Sequence, residues 1–298
     1  MLSRRRMMAV GGGAAIGGLL NSRAAFAGVK AAPDVVQTEL ERIEAATGGR
    51  LGVALVDTGS DRTITYRGEE RFPMCSTAKV LACAALLARV DAGNESLERR
   101  VRYVAADLVA YSPMTKEHVG GDGVTLAALC EAALTLSDNT AMNLILANVG
   151  GPAAVTSFAR SLNDPVTRLD RTEPSLNEAT PGDPRDTSTP TAMAGSLRKL
   201  ALGSALSARS RDSLCAWMLA NTTGNAKLRA GVPQTWRVGD KTGNGDQGSS
   251  NDVAVMWPPN RAPIIAVVYL TGATSVSDDA RAAASAEVGR AAAAWVGV

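Results

Sequence analysis

The chain is almost without histidine: His118 is the single one in 298 residues. It stands in Lys116-Glu117-His118-Val119-Gly120, a polar stretch with no partner pattern, so a Ser–His–Asp triad has little support. No H-E-x-x-H occurs, which removes the metalloprotease signature. Cysteine is scarce too. Cys75, Cys83, Cys130 and Cys215 form no C-x-x-C pair, which argues against zinc and dithiol redox chemistry. An oxidising compartment would permit a disulfide, but spacing alone does not choose the pair. There is no internal repeat, and beyond the N-terminal segment no run is long and apolar enough to span a bilayer. Nor does either sign of charge dominate. Residues 1–27 hold Arg4, Arg5, Arg6 and Arg23 and no acid, so without them the formal charge of +2 falls to −2. Such a balance offers no electrostatic footprint for nucleic acid.

What is present is ample core material: 46% of the residues are hydrophobic and 20% charged, enough for one large domain or two intertwined ones. Residues 1–27 read as an export signal. A basic start precedes a short Gly/Ala-rich apolar stretch and Ala25-Phe26-Ala27, an A-x-A cleavage pattern. Ser3-Arg4-Arg5 with so mild an apolar stretch is similar to a twin-arginine signal. The expected product is periplasmic or secreted, with no membrane attachment after signal removal.

PDVVQTELERIEAAT predicts a first helix, and RLGVALVDTGSDRTITYRG a β-hairpin turning at Thr58-Gly59-Ser60-Asp61. From Thr77 the pattern is helical for over a hundred residues, most segments opening on Ser, Thr, Asp or Pro. One long segment, DPVTRLDRTEPSLNEATPGDPRDTSTP, breaks the series; a loop of that length is usually functional or disordered. β character returns in TWRVGDKTG, NDVAVMWPP and APIIAVVYLTG, before an Ala-rich terminal helix. Strands at both ends and helices between them predict an α+β fold with an antiparallel sheet. The sheet domain is expected to be discontinuous, over 28–68 and 219–298. The helical domain, 69–218, carries the long loop 170–187.

Three short motifs carry the chemistry. Ser76-Thr77-Ala78-Lys79 opens a helix; residues three apart share a face, so the ammonium can approach the hydroxyl. Ser76 also suits a helix N-cap, its ordinary role. Ser137-Asp138-Asn139 lies between two helical runs and would by itself be a capping turn. Lys241-Thr242-Gly243 closes an alternating strand before the turn-like Asn244-Gly245-Asp246. Each is weak alone. Together, in this order and in an exported chain, they point to a hydrolase whose base is Lys or Glu rather than His.

The chain resembles the class A serine β-lactamases across essentially the whole mature sequence. The resemblance implies a five-stranded antiparallel sheet flanked by helices beside an all-helical domain, with the site between them. It implies hydrolysis of penicillins and cephalosporins through a serine acyl-enzyme, conferring antibiotic resistance, without cofactor or metal, by a monomer whose partner is a small-molecule β-lactam. By the same resemblance Ser76 is the nucleophile and Lys79 its proton-handling neighbour. Ser137 relays a proton to the leaving nitrogen, and Asn139 holds the substrate's side-chain amide. Lys241 and Thr242, beside Gly243, bind its carboxylate, and the amides of Ser76 and Asn244 form the oxyanion hole. Arg171-Thr172-Glu173-Pro174-Ser175-Leu176-Asn177 matches the family's R-x-E-P-x-x-N signature, so Glu173 and Asn177 position the hydrolytic water, with a cis Glu173-Pro174 bond. Arg171 and Asp186 pair across the loop's neck, and Tyr111 forms an aromatic wall. Cys83 and Cys130 fall where some members carry a disulfide, while Cys75 is a free thiol because the position that bridges it in some carbapenem-hydrolysing relatives is Gly245 here. Lys79 and Glu173 both stand as the acylation base. The family's carboxylate-side arginine has no clean match, and Lys227 and Arg281 are the candidates. Two rivals share the three motifs: a penicillin-binding D,D-peptidase and a non-turnover β-lactam sensor. Glu173 with Asn177 favours the hydrolase over both.

Overall fold

The computed structural model describes residues 31–297; the export signal expected over 1–27 lies outside them. Helix α1, Pro33–Thr47, begins with proline in its first turn, where no amide hydrogen bond is lost, and ends at Gly48 with φ +64°. Its buried Val36, Leu40 and Ile43 recur at helical spacing. Strands β1, Arg50–Asp57, and β2, Arg62–Tyr66, form the hairpin. The remaining strands come from the C-terminal third: β3, Arg237–Gly245; β4, Ser249–Trp257; and β5, Ile264–Thr271. The sheet runs β2-β1-β5-β4-β3 and every neighbour is antiparallel. β3 is thus an edge strand.

Between β2 and β3 lie α2, Ala78–Asp91; α3, Leu126–Thr135; α4, Asn139–Val149; α5, Pro152–Ser161; α6, Pro190–Ala201; α7, Ala208–Leu219; and the single turn α8, Leu228–Gly231. Helix α9, Asp278–Val296, closes the chain. Both faces of the sheet are covered, which explains why β5 reads as an unbroken apolar run. Its Ile264, Ala266, Val268 and Leu270 pack with α1 and α9. Ile265, Val267 and Tyr269, pointing the other way, join the core of the helical block. Helix α2 runs through that core and is buried continuously from Ala78 to Leu87. Among the described residues, no helix is long and apolar enough to cross a membrane.

Two expectations need correction. Ser76 does not cap α2: Cys75–Thr77 form a 3-10 turn, and Thr77 occupies the cap position. The reason is chemical, because the Ser76 hydroxyl is engaged by Lys79 and Glu173 rather than by the helix amides. Second, β3 continues through Asn244 and Gly245, which pair with Ser250 and Ser249, so the turn comes later than Asn244.

The long loop leaves α5 and is fastened before it reaches α6. Arg171 donates to Asp186 across its neck at 2.5 Å, while Asp186 accepts from the amides of Asp170 and Arg171 at 2.8 and 2.9 Å. Its far end pairs with the chain leading to Ser76: Phe72–Pro73 is antiparallel to Thr187–Ser188, and the Met74 amide donates to Asp186 O at 2.9 Å. Leu176 buries the loop's middle against the core.

Leu81 is wholly buried on α2, so Leu81→Ala should cost about 2–5 kcal/mol of stability in a denaturant titration. The dependence on denaturant should keep its slope.

Candidate active site

The S-x-x-K and S-D-N motifs and the long loop converge on Lys79, and K-T-G joins them through Ser137. Its ammonium, fully buried, donates to Ser76 Oγ at 2.7 Å, Asn139 Oδ1 at 2.7 Å, Ser137 O at 3.1 Å and Glu173 Oε1 at 2.6 Å. A longer contact of 3.4 Å reaches Ser137 Oγ. Ser76 Oγ in turn donates to Glu173 Oε1 at 3.2 Å. Lysine and glutamate are both buried, yet the pair is bridged by hydrogen bonds from several sides. Burial pulls the Lys79 pKa down from the ordinary lysine range, and the Glu173 carboxylate opposes that pull.

Glu173 is held by its backbone as well as its side chain. Asn143, four residues after Asn139 on the same face of α4, accepts from the Glu173 amide and donates to its carbonyl, each at 2.9 Å. Asn177 Nδ2 donates to Glu173 Oε2 and to Pro174 O, while Asn177 Oδ1 is buried with no protein partner among the described residues. The Glu173-Pro174 bond is cis, as the resemblance implied.

Asp138 shows that the capping reading of Ser137-Asp138-Asn139 was correct as far as it went. Its carboxylate caps α4 through the Ala141 amide at 2.8 Å. It also accepts from the amides of Met114 and Thr115, both at 2.9 Å, fixing the segment that carries Tyr111. Cys75, Tyr111 and Ser137 all adopt left-handed backbone, with φ of 48°, 62° and 59°. Strained backbone of this kind is tolerated where surrounding bonds over-determine it. Tyr111 is 62% exposed, a rim residue rather than core packing.

On the opposite wall stands β3. Lys241 Nζ donates to Ser137 Oγ at 3.0 Å and to Thr242 O at 2.8 Å. Thr242 Oγ1 meets Thr223 Oγ1 at 2.5 Å. Burial and the neighbouring Lys79 charge push the Lys241 pKa down to about 7, against the attraction of Asp240. Gly243 lets β3 approach the turn that carries Ser76: a Cβ there would lie 2.8 Å from Met74 O and 3.2 Å from Ser76 N. The same holds at Gly245, where a Cβ would sit 2.6 Å from both Cys75 Sγ and Asn177 O.

Several named residues stand apart from the cluster. Lys227 is buried behind β3, donating to Asn244 Oδ1 at 2.9 Å and Asn251 O at 3.0 Å. Arg281 commits its guanidinium to the carbonyls of Ala273 and Val276 and to Asp278. Neither bonds to Lys241 or Thr242. Cys83 and Cys130 are both free thiols, with Cys83 Sγ 3.9 Å from Cys130 O. His118 ends a 3-10 turn, Thr115–His118, with no hydrogen bond to the cluster. Sequence reasoning overlooked Asn143; its spacing of four from Asn139 was the available signal.

A serine bonded to lysine and glutamate, on a helix start beside an edge strand, is the arrangement of a serine hydrolase site. Comparison with known proteins narrows the class. The model of the β-lactamase enzyme family matches residues 35–296. β-Lactamase Toho-1 of Escherichia coli is 55% identical over 236 residues, covering 79% of this chain and 81% of the relative. β-Lactamase OXY-2 of Klebsiella oxytoca is 54% identical over 241 residues, covering 81% and 83%. An ancestral (GNCA) class A β-lactamase superposes with a TM-score of 0.84 at 62% identity, over 86% of this chain and 98% of that one. The last common ancestor of Gram-negative bacteria (GNCA4) β-lactamase gives 0.85 at 60% identity, over 86% and 97%. The chain belongs to the class A β-lactamase family.

Gly243→Ala should force Ser76 and Met74 backbone apart from β3, destabilising by about 1–3 kcal/mol. Activity should fall further than thermal denaturation alone would account for.

Proposed function

We propose that Ser76 is the acylated nucleophile of this enzyme, and that Glu173, with Asn177, directs the deacylating water. The enzyme hydrolyses the β-lactam amide of penicillins and cephalosporins and so gives resistance to them. One observation carries the assignment: Glu173 Oε1 lies 2.6 Å from Lys79 Nζ and 3.2 Å from Ser76 Oγ. An ammonium has no lone pair to accept a proton, so a charged Lys79 leaves Glu173 to receive the proton of Ser76. Lys79 then stabilises the developing alkoxide and the carboxylate's fixed position.

Ser137 Oγ accepts from two ammonium groups, Lys79 and Lys241. Its own hydrogen is therefore free to be donated, which suits delivery to the leaving nitrogen. Lys241, with Thr242, supplies a charge-assisted site for the substrate carboxylate, and Asn139 offers its amide to the substrate side chain. The amides of Ser76 and Asn244 flank the close approach at Gly243 and serve as oxyanion donors. After acylation, Glu173 Oε2 and the unpartnered Asn177 Oδ1 give a water two acceptors on the loop side. A D,D-peptidase or a sensor has no use for that second arrangement. Tyr111 walls the cleft, and Arg171 with Asp186 maintains the loop.

The protein is exported by a twin-arginine-like signal in residues 1–27 to the periplasm or beyond, and acts there as a monomer. Its two lobes are 28–68 with 219–298, and 69–218.

Glu173→Ala should accumulate a covalent adduct on Ser76, seen as the added mass of a penicillin by intact-protein mass spectrometry. Turnover without adduct would remove Glu173 from deacylation, and full activity in Ser76→Ala would remove the nucleophile. Because Lys241 sits near pKa 7, its charge is present below that pH and lost above it. Alkaline loss of kcat/KM for carboxylate-bearing substrates should follow that titration in the free enzyme. Lys241→Arg, which does not deprotonate in this range, should abolish the alkaline limb.

A further inference from the structure

A second concavity lies on the long loop, away from the cluster around Ser76. It has a volume of about 450 Å3, and none of Ser76, Lys79, Ser137, Glu173 or Lys241 lines it. Small-molecule sites typically fall in a range of about 300–1,000 Å3. Its wall joins the loop's outer half to the ends of β1 and β5.

The charged side chains that line it are mostly basic. Arg50 and Arg71 line it from the sheet side, Arg171 and Arg185 from the loop, against a single carboxylate, Asp183. Three of these guanidiniums have acid partners: Arg50 with Glu70, Arg171 with Glu178 and Asp186, Arg185 with Asp183. Glu70, Glu178 and Asp186 stand outside the lining. Arg71 differs. Its Nη1 donates to Val166 O and Thr187 Oγ1, each at 3.0 Å. No carboxylate pairs with it among the described residues, and its Nε and Nη2 have no protein partner there. Arg50 is beside it, donating to Arg71 O at 2.8 Å. A guanidinium with a free N–H edge is shaped for a carboxylate or phosphate oxygen pair.

The rest of the wall selects among anions. Pro73, Leu176, Ala179 and Pro184 present carbon to the same space, which favours a ligand with an apolar frame over an inorganic ion. Two of the lining residues, Arg171 and Leu176, also flank Glu173 in sequence, and Arg171 closes the loop's neck. A ligand here therefore bears on the segment that positions Glu173.

We propose that this cavity binds a small organic polyanion, a di- or tricarboxylate on a carbon frame. Arg71 is its principal anchor, and the loop transmits occupancy to Glu173. Two sources supply that chemistry. One is the cell's small polycarboxylates. The other is the enzyme's own product, which rests on the hydrolytic reading above: water adds across the amide C–N bond, leaving an amine and a second carboxylate on the opened ring.

The test is an NMR titration of the purified protein with citrate and, separately, with alkali-hydrolysed benzylpenicillin. Binding should shift the amides of Gly49, Gly182 and Gly272, which line the cavity; shifts confined to Gly243 would mean occupancy of the catalytic cleft and would overturn the site. Response to citrate alone identifies the cellular source, and response to the opened penicillin identifies the product. Arg71→Ala should weaken binding about tenfold or more, with Arg71→Lys intermediate. Citrate should also change kcat for a substrate limited by deacylation, and should not do so in Arg71→Ala. No shift at the three glycines on the order of 10 mM of either anion, or equal affinity in Arg71→Ala, refutes the site. Should Arg71→Ala fail to fold, Arg71→Lys and the wild-type titration still decide. Binding with unchanged kcat refutes the transmission to Glu173.

Discussion

Everything in the cleft is arranged around one buried ion pair, Lys79 with Glu173, at 2.6 Å. Taking two charges from water costs several kcal/mol for each ion, and such a pair persists only when further hydrogen bonds satisfy both partners. Here Lys79 is completed by Ser76, Ser137 and Asn139. Glu173 is completed by Ser76 and Asn177, with its backbone clamped by Asn143. The pair joins two parts of the chain that are 94 residues apart. Removing either member would leave the other charge buried and unpaired, so helix α2, the SDN turn and the long loop are energetically one unit.

That unit explains why the loop is fastened so heavily. A carboxylate that must meet a buried ammonium needs its backbone fixed, and the Arg171–Asp186 neck and the Thr187–Ser188 pairing do so from one end. The same short pairing ties the loop to Phe72–Pro73, immediately before the turn that carries Ser76. Gly243 then allows edge strand β3 to close from the other side. The site is thus a meeting of three independently anchored walls, each supplying one or two groups.

Positive charge dominates that meeting place, and its balance is kept one layer back. Lys79, Lys227 and Lys241 are all buried, with burial drawing each downward from the ordinary lysine range. Asp240 on β3 and Asp252 on β4 are buried and oppose that shift at Lys227 and Lys241. Lys227 is fixed to Asn244 and Asn251 rather than aimed at the cleft. Lys227 was one of two candidates for the carboxylate side, and its bonds run to Asn244 and Asn251. It supports the strand that carries Lys241 and Thr242.

Much of this was legible in the chain. Periodicity marked α1 to its ends, and the β1–β2 hairpin with its turn, because those depend on neighbours close in sequence. The order of S-x-x-K, S-D-N, R-x-E-P-x-x-N and K-T-G marked the groups that the fold gathers in one cleft, since each motif encodes its own local geometry. Where local rules competed with long-range bonds they gave the wrong answer. Ser76 looks like a helix cap, yet its hydroxyl is taken by a lysine and by a glutamate from another element. Asn244 looks like a turn, yet it is held in strand by pairing with Ser250. Asn143 carries no motif and gains its role only when the loop folds over α4. The sequence by itself determined which chemical groups exist and on which local element each sits. The tertiary structure alone decided which of them meet in hydrogen bonds, because burial and distance between remote segments set both charge and contact.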